Sequence, residues 1–252
     1  MSVPTIALFT DFGIGGPYVG QVHAALARLA PAVPVFDLMA DAPRFDARRS
    51  SYLLAALVDF IPPASIVLGV VDPGVGSDRA ALAIEADGRW FVGPDNGLFS
   101  MVARRANRVE PWKVDWIPPV LSASFHGRDL FAPVAARIAS DDIPNGEAEW
   151  CHPCDVGELE EATWPDDLAE VVYIDAYGNA VTGIRGETMK PSENLFLNGI
   201  PMISGRTFSD VSPGSAFCYE NANGLLEIAV NMGSAADDLG ISVGCPVEVR
   251  AT

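Results

Sequence analysis

Four segments of the chain place polar, ionisable side chains beside glycine or proline. They are TDFGIGGPYVG from Thr10, VDPGVG from Val71, GPDNGLF from Gly93 and SASFHGRDLFAP from Ser122. The first three sit at or just beyond the ends of apolar runs, and the last precedes a helical pattern. In an open α/β sheet, ligands bind beyond the carboxyl ends of the strands. Glycine lets the backbone approach such a ligand closely, and Asp, Asn, Arg or His beside it supplies directed hydrogen bonds. Asp11, Asp72, Arg79, Asn96 and His126 are therefore the residues to follow. Each also has a plainer reading. Asp11 can be a turn residue or helix cap, Asp72 can close an Asx turn, and Asp95-Asn96-Gly97 can cap the next helix. Arg79 can pair with Asp78 or Glu85 at the surface, and His126 can be a satisfied loop histidine. GIGG lacks the G-x-G-x-x-G spacing of a dinucleotide fingerprint.

The elements that would position these side chains alternate in type. Strand patterns at 5–10, 33–38 and 65–71 are separated by helical patterns at 18–30 and 46–60. Asp46 is a fitting N-cap for the second helix, and Pro62-Pro63 a fitting stop. Two further extended runs meet at Asp87-Gly88, a two-residue hairpin signal. GLFSMVARRA and RDLFAPVAARIAS read as helices, with RVEPWKV extended between them. This alternation predicts an α/β domain, an α/β sandwich with a mostly parallel sheet, over residues 1–150. Residues 141–167 are acidic and aperiodic, and 151–167 reads as a linker. Short extended runs follow at 170–176, 194–203 (turning at Asn198-Gly199), 215–220, 225–232 and 245–250. They predict a smaller all-β unit over 168–252, a barrel or sandwich.

The 252 residues carry a formal charge of −17, and only Lys113 and Lys190 are lysines. Nucleic-acid binding requires a basic stripe, and no cluster supplies one. No apolar run reaches the roughly 20 residues of a membrane span, and the N-terminal stretch lacks a signal-peptide pattern. A cytoplasmic protein with neither nucleic-acid nor membrane partners is expected. Cys218 and Cys245 lie in apolar surroundings, as buried thiols do. Cys151-His152-Pro153-Cys154 lacks the second ligand pair that zinc needs, so no metal site is expected.

Six motifs in order resemble the S-adenosyl-L-methionine hydroxide adenosyltransferase family, relatives of fluorinating and chlorinating enzymes. They are TDFG (10–13), VDPGVG (71–76), GPDNGLF (93–99), FHGRDLFAPVAA (125–136), IDAYGNAVT (174–182) and LEIAVNMGSA (226–235). The resemblance implies an α/β domain joined to a C-terminal β-barrel. It also implies attack of water or hydroxide at the 5′ carbon of S-adenosylmethionine, giving adenosine and L-methionine. The sulfonium leaves as a neutral thioether, so no cofactor is implied. Asp72, Arg79 and His126 match the family's catalytic set. Asp72 and His126 would accept the water's protons, and Arg79 would hold Asp72 or stabilise hydroxide. Asp11 matches the carboxylate that takes the ribose hydroxyls. Phe45, Asn96, Ser124 and Phe125 fall at positions about the nucleoside. Asp175, Tyr177, Asn179, Ala222, Glu227 and Val230 match positions about adenine and the methionine end. The resemblance further implies a homotrimer, each site shared between neighbouring copies.

Two positions depart from the family pattern. Gly183 stands where an Asn often follows the threonine, and Ala222 where a Ser often stands. Both losses imply a looser grip on the methionine end. The family's halogenating relatives carry a neutral aromatic in place of Asp72. A carboxylate about 4 Å from a halide costs about 4 kcal/mol at an effective dielectric near 20. Water is therefore the expected nucleophile. A non-catalytic sensor of adenosine or S-adenosylmethionine is the alternative from another functional class.

Overall fold

A computed structural model describes residues 4–144, 146, 148–159 and 163–251. The chain divides into two compact units, Met1–Glu161 and Ala162–Thr252. The N-terminal stretch before Pro4 and part of the expected linker, residues 160–162, lie outside the described residues.

The first unit runs β1 (Ile6–Thr10), α1 (Tyr18–Leu29), β2 (Val35–Met39), α2 (Ala47–Leu57), β3 (Ile66–Val70), β4 (Ala81–Ala86), β5 (Arg89–Pro94), α3 (Ser100–Arg105), β6 (Val109–Val114), α4 (Ala132–Ala139) and β7 (Cys151–Pro153). Its seven-stranded sheet has the order β2-β1-β3-β5-β4-β6-β7. β2, β1, β3 and β5 pair in parallel, while β4 runs antiparallel to both β5 and β6. After β1 the chain moves out to β2 and then returns across β1 to β3. The switch point of the sheet therefore lies between β1 and β3, where α/β sheets open a crevice beyond their carboxyl ends.

Local chemistry explains these elements. Ile6, Leu8, Ile66, Leu68 and Val70 pack with Val22 and Leu26 of α1 and Val134 and Ile138 of α4 into one buried core. Asp46 caps α2 by accepting from the Arg49 N–H at 2.9 Å, satisfying a donor that would otherwise be orphaned. Asp87 and Gly88 both have positive φ, 46° and 83°, as the predicted two-residue hairpin requires. Gly69 and Gly93 are dictated by packing. A Cβ on Gly93 would meet the Gly69 carbonyl at 2.1 Å, and one on Gly69 would meet the Phe99 ring at 2.7 Å.

The second unit contains β8 (Leu168–Ile174), β9 (Ala180–Arg185), β10 (Glu193–Leu197), β11 (Ile200–Pro201), β12 (Ile203–Ser204), β13 (Ala216–Glu220), β14 (Leu225–Val230), α5 (Ala235–Leu239) and β15 (Val247–Ala251). These strands form two open sheets, β12-β13-β14-β9-β8 and β11-β10-β15. The expected barrel is thus corrected. Among the described residues β8 meets the segment entering β15 through the isolated Glu170–Pro246 bridge and through Val171, which bonds to Cys245 and Gly244, but β8 and β15 form no ladder and no closed cylinder results. Leu195, Leu197 and Val247 of the small sheet pack with Val171, Ile184, Leu226 and Ile228 of the large one.

The expected linker is also partly structured. Cys151–Pro153 pairs antiparallel with Trp112–Val114 and extends the first sheet. Burial drives Cys151, raising its thiol to about 11, as an inert structural cysteine. Among the described residues no three His, Cys, Asp or Glu side chains gather to hold a metal ion, and no helix is long and apolar enough to cross a membrane.

Candidate active site

β1, β3 and β5 are neighbours and parallel, so Asp11, Asp72 and Asn96, all just past strand ends, stand side by side at one edge of the first sheet. Asp72 turns immediately into a tight loop, in which Val75 N–H donates to the Asp72 carbonyl and Ser77 N–H to that of Gly74. Gly76 has φ +83°, and a Cβ there would meet the Ala123 carbonyl oxygen at 2.7 Å. Glycine is required on both counts. This contact lays the Asp72 loop against the Ser122–His126 segment.

The loop returns Arg79 onto Asp72. Arg79 Nε donates to Asp72 Oδ1 at 2.6 Å, and Nη2 donates to Oδ2. The Asp72 side chain is 4% exposed and that of Arg79 10%. The guanidinium lies 5.4 Å from the ring centre of Phe131. This planar two-point fork is the geometry that holding the carboxylate requires. Arg79 Nη2 also faces His126 Nδ1 at 3.5 Å. Arginine only donates, so this contact favours the tautomer with Nδ1 as acceptor and the proton on Nε2. Burial, then the Arg79 charge, lowers the His126 pKa below its ordinary 6.5, against the pull of Asp72 and Asp129. Both effects favour the neutral ring.

His126 enters a π turn, Gly127–Phe131, that runs into α4. Such turns often mark functional positions in helices. Asp129 holds the segment by accepting from the Ser122 N–H at 3.0 Å and pairing with Arg128. Arg128 donates to Gln21 Oε1 at 2.6 Å, tying the segment to α1.

The expected nucleoside contacts of this unit divide. Asp11 Oδ2 accepts the Phe45 N–H at 2.9 Å. Burial raises the Asp11 pKa above its ordinary value, the Phe45 hydrogen bond opposes this, and the charge of Asp72 adds to the rise. Phe45 has φ 60° and an exposed ring, an uncommon backbone state that a functional position can justify. Ser124 is exposed. Phe125 packs inward. Its ring is buried against Phe12 and Tyr18 at 5.5 and 5.3 Å, with Arg128 at 5.0 Å. Asn96 is also turned inward: its Nδ2 donates to the Val71 carbonyl at 2.8 Å and its Oδ1 accepts from Leu98 N–H. It fixes the strand end that carries Asp72.

The second unit holds its own cavity of about 690 Å³. Of the expected residues, Asp175, Tyr177, Asn179, Ala222, Glu227 and Val230 all line it. Asp175 organises the turn, since its Oδ1 accepts from the N–H groups of Tyr177 and Asn179 and its Oδ2 from Asn179 Nδ2. Tyr177 is 81% exposed. Glu227 is 5% exposed and directly opposite Tyr219 across the β13–β14 pair. Tyr219 Oη donates to Glu227 Oε1 at 2.5 Å and Asn221 Nδ2 to Oε2 at 2.8 Å. Burial, reinforced by Glu227, raises the Tyr219 pKa, so the phenol keeps its proton.

Phe208, Tyr219, Asn221, Asn223, Met232, Gly233 and Ser234 also line the cavity, and the sequence reading missed them as site residues. The one available signal was adjacency: Asn221 and Asn223 flank Ala222, and Met232 to Ser234 belong to the LEIAVNMGSA motif. The two departures also separate here. Ala222 lines the cavity, whereas a Cβ on Gly183 would meet Leu168 Cβ at 2.7 Å and the Leu168 carbonyl oxygen at 2.9 Å. Gly183 therefore accommodates the close packing of β9 on β8.

Taken by themselves, the switch-point site and the lined cavity define an α/β protein that binds a small polar ligand and can orient a water or hydroxyl group beside a carboxylate. Residues 6–146 match the model of the SAM hydroxide adenosyltransferase N-terminal domain, and residues 169–248 that of its C-terminal domain. The chain belongs to the SAM hydroxide adenosyltransferase family. It is 38% identical to an (R)-S-adenosyl-L-methionine hydrolase of Thermus thermophilus, covering 97% of this chain and 98% of that protein. It is 37% identical to one of Salinispora tropica, with 98% of each covered. Among solved structures, a conserved protein from Thermotoga maritima superposes with a TM-score of 0.82 at 27% identity, over 97% of this chain and 99% of that one. A conserved protein from Thermus thermophilus superposes with a TM-score of 0.77 at 33% identity, over 98% and 100%.

Proposed function

We propose that this protein hydrolyses S-adenosyl-L-methionine to adenosine and L-methionine. The observation that carries the proposal is the buried Asp72 carboxylate, clamped by Arg79 beside His126 at the sheet's switch point. In the proposed reaction an O–C5′ bond forms as the C5′–S bond breaks, and the bonding electrons go to sulfur. The sulfonium becomes a neutral thioether, so the leaving group needs no acid, metal or cofactor. Asp72 takes the water's proton as the bond forms, and each of its oxygens keeps a lone pair beyond the Arg79 fork. His126 then serves differently from the original expectation. Its Nε2–H donates to the water oxygen and orients it, because Nδ1 is turned to Arg79.

In this proposal Asp11 binds the ribose hydroxyls, with Phe45 and Ser124 beside the nucleoside. Phe125 and Asn96 support the loops and make no direct contact. Asn179, Tyr177, Glu227 and Val230 serve the adenosyl group in the cavity of the second unit, and Ala222 lies toward the methionine end. A homotrimer, each site shared by neighbouring copies, accounts for polar clusters in separate units flanked by solvent-facing Phe45, Tyr177 and Met232. We place the protein in the cytoplasm, in keeping with its four free cysteines.

The test is incubation with S-adenosylmethionine alone and with excess chloride, followed by chromatography. Adenosine and methionine in both samples are expected. A 5′-chloro nucleoside would turn the reading to a halogenase. Tight adenosine binding without any product over hours would turn it to a sensor.

A further inference from the structure

Thr10 closes β1 one residue before Asp11, yet it has no place in the hydrogen-bond scheme above. It is 1% exposed, and its Oγ1 has no hydrogen-bond partner among the described residues. The rest of β1 is Ile6, Ala7, Leu8 and Phe9, all apolar. A valine would fill the same space without a stranded hydroxyl, so a buried hydroxyl here needs something to bond to.

The direction of the side chain follows from alternation along the strand. Ile6 and Leu8 face the core beneath α1 and α4, so Thr10 faces that side too. It pairs in register with Val70, which faces the same core and lies two residues before Asp72. Phe131, whose ring underlies Arg79, and Phe125, which precedes His126, belong to that core. The Thr10 hydroxyl therefore lies on the same face of the sheet as Val70, at the end of β1 and one strand from the start of the Asp72 loop.

We infer that Thr10 Oγ1 is a further catalytic contact to the nucleophilic water, an inference that rests on the proposed hydrolysis. Asp72 accepts one O–H of that water and Thr10 accepts the other. His126 Nε2–H occupies one lone pair, and the remaining lone pair points at C5′. Thr10 orients the water without adding charge and takes no proton. The proton released as O–C5′ forms goes to Asp72, and the C5′–S electrons go to sulfur.

The test compares Thr10→Val and Thr10→Ser with the wild type in turnover, with a high-resolution crystal structure of the wild type alongside. Thr10→Val is expected to lower kcat about tenfold or more with KM within about threefold, and Thr10→Ser to stay close to wild type. Thr10→Val is also expected to melt no lower than wild type, since a stranded hydroxyl is removed. The structure is expected to show an ordered water or ligand oxygen within hydrogen-bond distance of Oγ1. An active wild type with an unimpaired Thr10→Val variant would overturn this inference and leave the proposed hydrolysis standing. A wild type that releases no adenosine would overturn the proposed hydrolysis and this inference with it. If Thr10→Val does not fold, the structure decides: no oxygen at Oγ1 overturns the inference.

Discussion

Replacing Arg79 by alanine removes both donors that hold the Asp72 carboxylate, whose side chain is 4% exposed. Breaking a buried ion pair from one side typically costs about 3–5 kcal/mol, because the remaining charge is stranded in a poorly solvated place. In a chain of this size each kcal/mol shifts the melting point by about 2–4 °C, so Arg79→Ala should melt roughly 6–20 °C lower. A second variant separates stability from chemistry. Asp72→Asn combined with Arg79→Gln leaves a neutral pair of similar size, and most of the lost stability should return. Adenosine release should not return, since the base is gone. Calorimetry gives the first quantity and chromatography the second. A loss under about 1 kcal/mol in Arg79→Ala, or a double variant no more stable than the single one, would refute the claim that Arg79 acts by clamping Asp72.

Asp72→Ala and His126→Ala should each lower kcat by about 10²-fold or more with KM changed only a few-fold, since both act on the water and not on the adenosyl group; a variant keeping full turnover in steady-state kinetics would lose its assigned role. Asp11→Asn should weaken adenosine binding in calorimetry yet melt no lower. The sign follows from the raised Asp11 pKa: its ionised form is disfavoured in the fold, so stability declines as pH rises from the ordinary value of 3.8 through the folded one. His126 has the opposite window, because its lowered pKa favours the neutral ring. That contribution is present above the ordinary pH 6.5 and is lost as pH falls from there through the folded value. An NMR titration of His126 should place its midpoint below 6.5, and Arg79→Ala should move it upward.

Much of the first unit was legible because its strands are short apolar runs set between helical periods and clear punctuation. Asp46, Asp87-Gly88 and the glycines near Asp72 announce a cap, a hairpin and close backbone approach by chemistry that is local. The expected barrel failed for a non-local reason. The runs read as strands do form, but sheet closure depends on which edges pair, and among the described residues β8 meets the segment entering β15 at the Glu170–Pro246 bridge and the Val171 hydrogen bonds without a ladder to β15 itself. β9 was missed although its motif was recognised, because polar Thr182 and the glycine at 183 break its apolar pattern. Thr182 is satisfied by the Leu226 carbonyl at 2.8 Å, a partner 44 residues away. At the site, Asp72, Arg79 and His126 were found by motif order, but their division of labour was not. That Arg79 faces both Asp72 and His126 Nδ1, and so sets the tautomer, depends on the fold bringing residue 126 beside residue 79. Asn96 and Phe125 were matched to ligand positions through their motifs, and the contacts their side chains make with Val71 and with Phe12 and Tyr18 depend on partners the sequence does not place beside them.

The central claim is that water, held at Asp72, attacks the 5′ carbon. Turnover of S-adenosylmethionine in ¹⁸O-enriched water, with the products read by mass spectrometry, tests it most directly. The account predicts ¹⁸O in the 5′-hydroxyl of adenosine and unlabelled methionine. A 5′-substituent other than labelled hydroxyl, or label appearing in methionine instead, would contradict it.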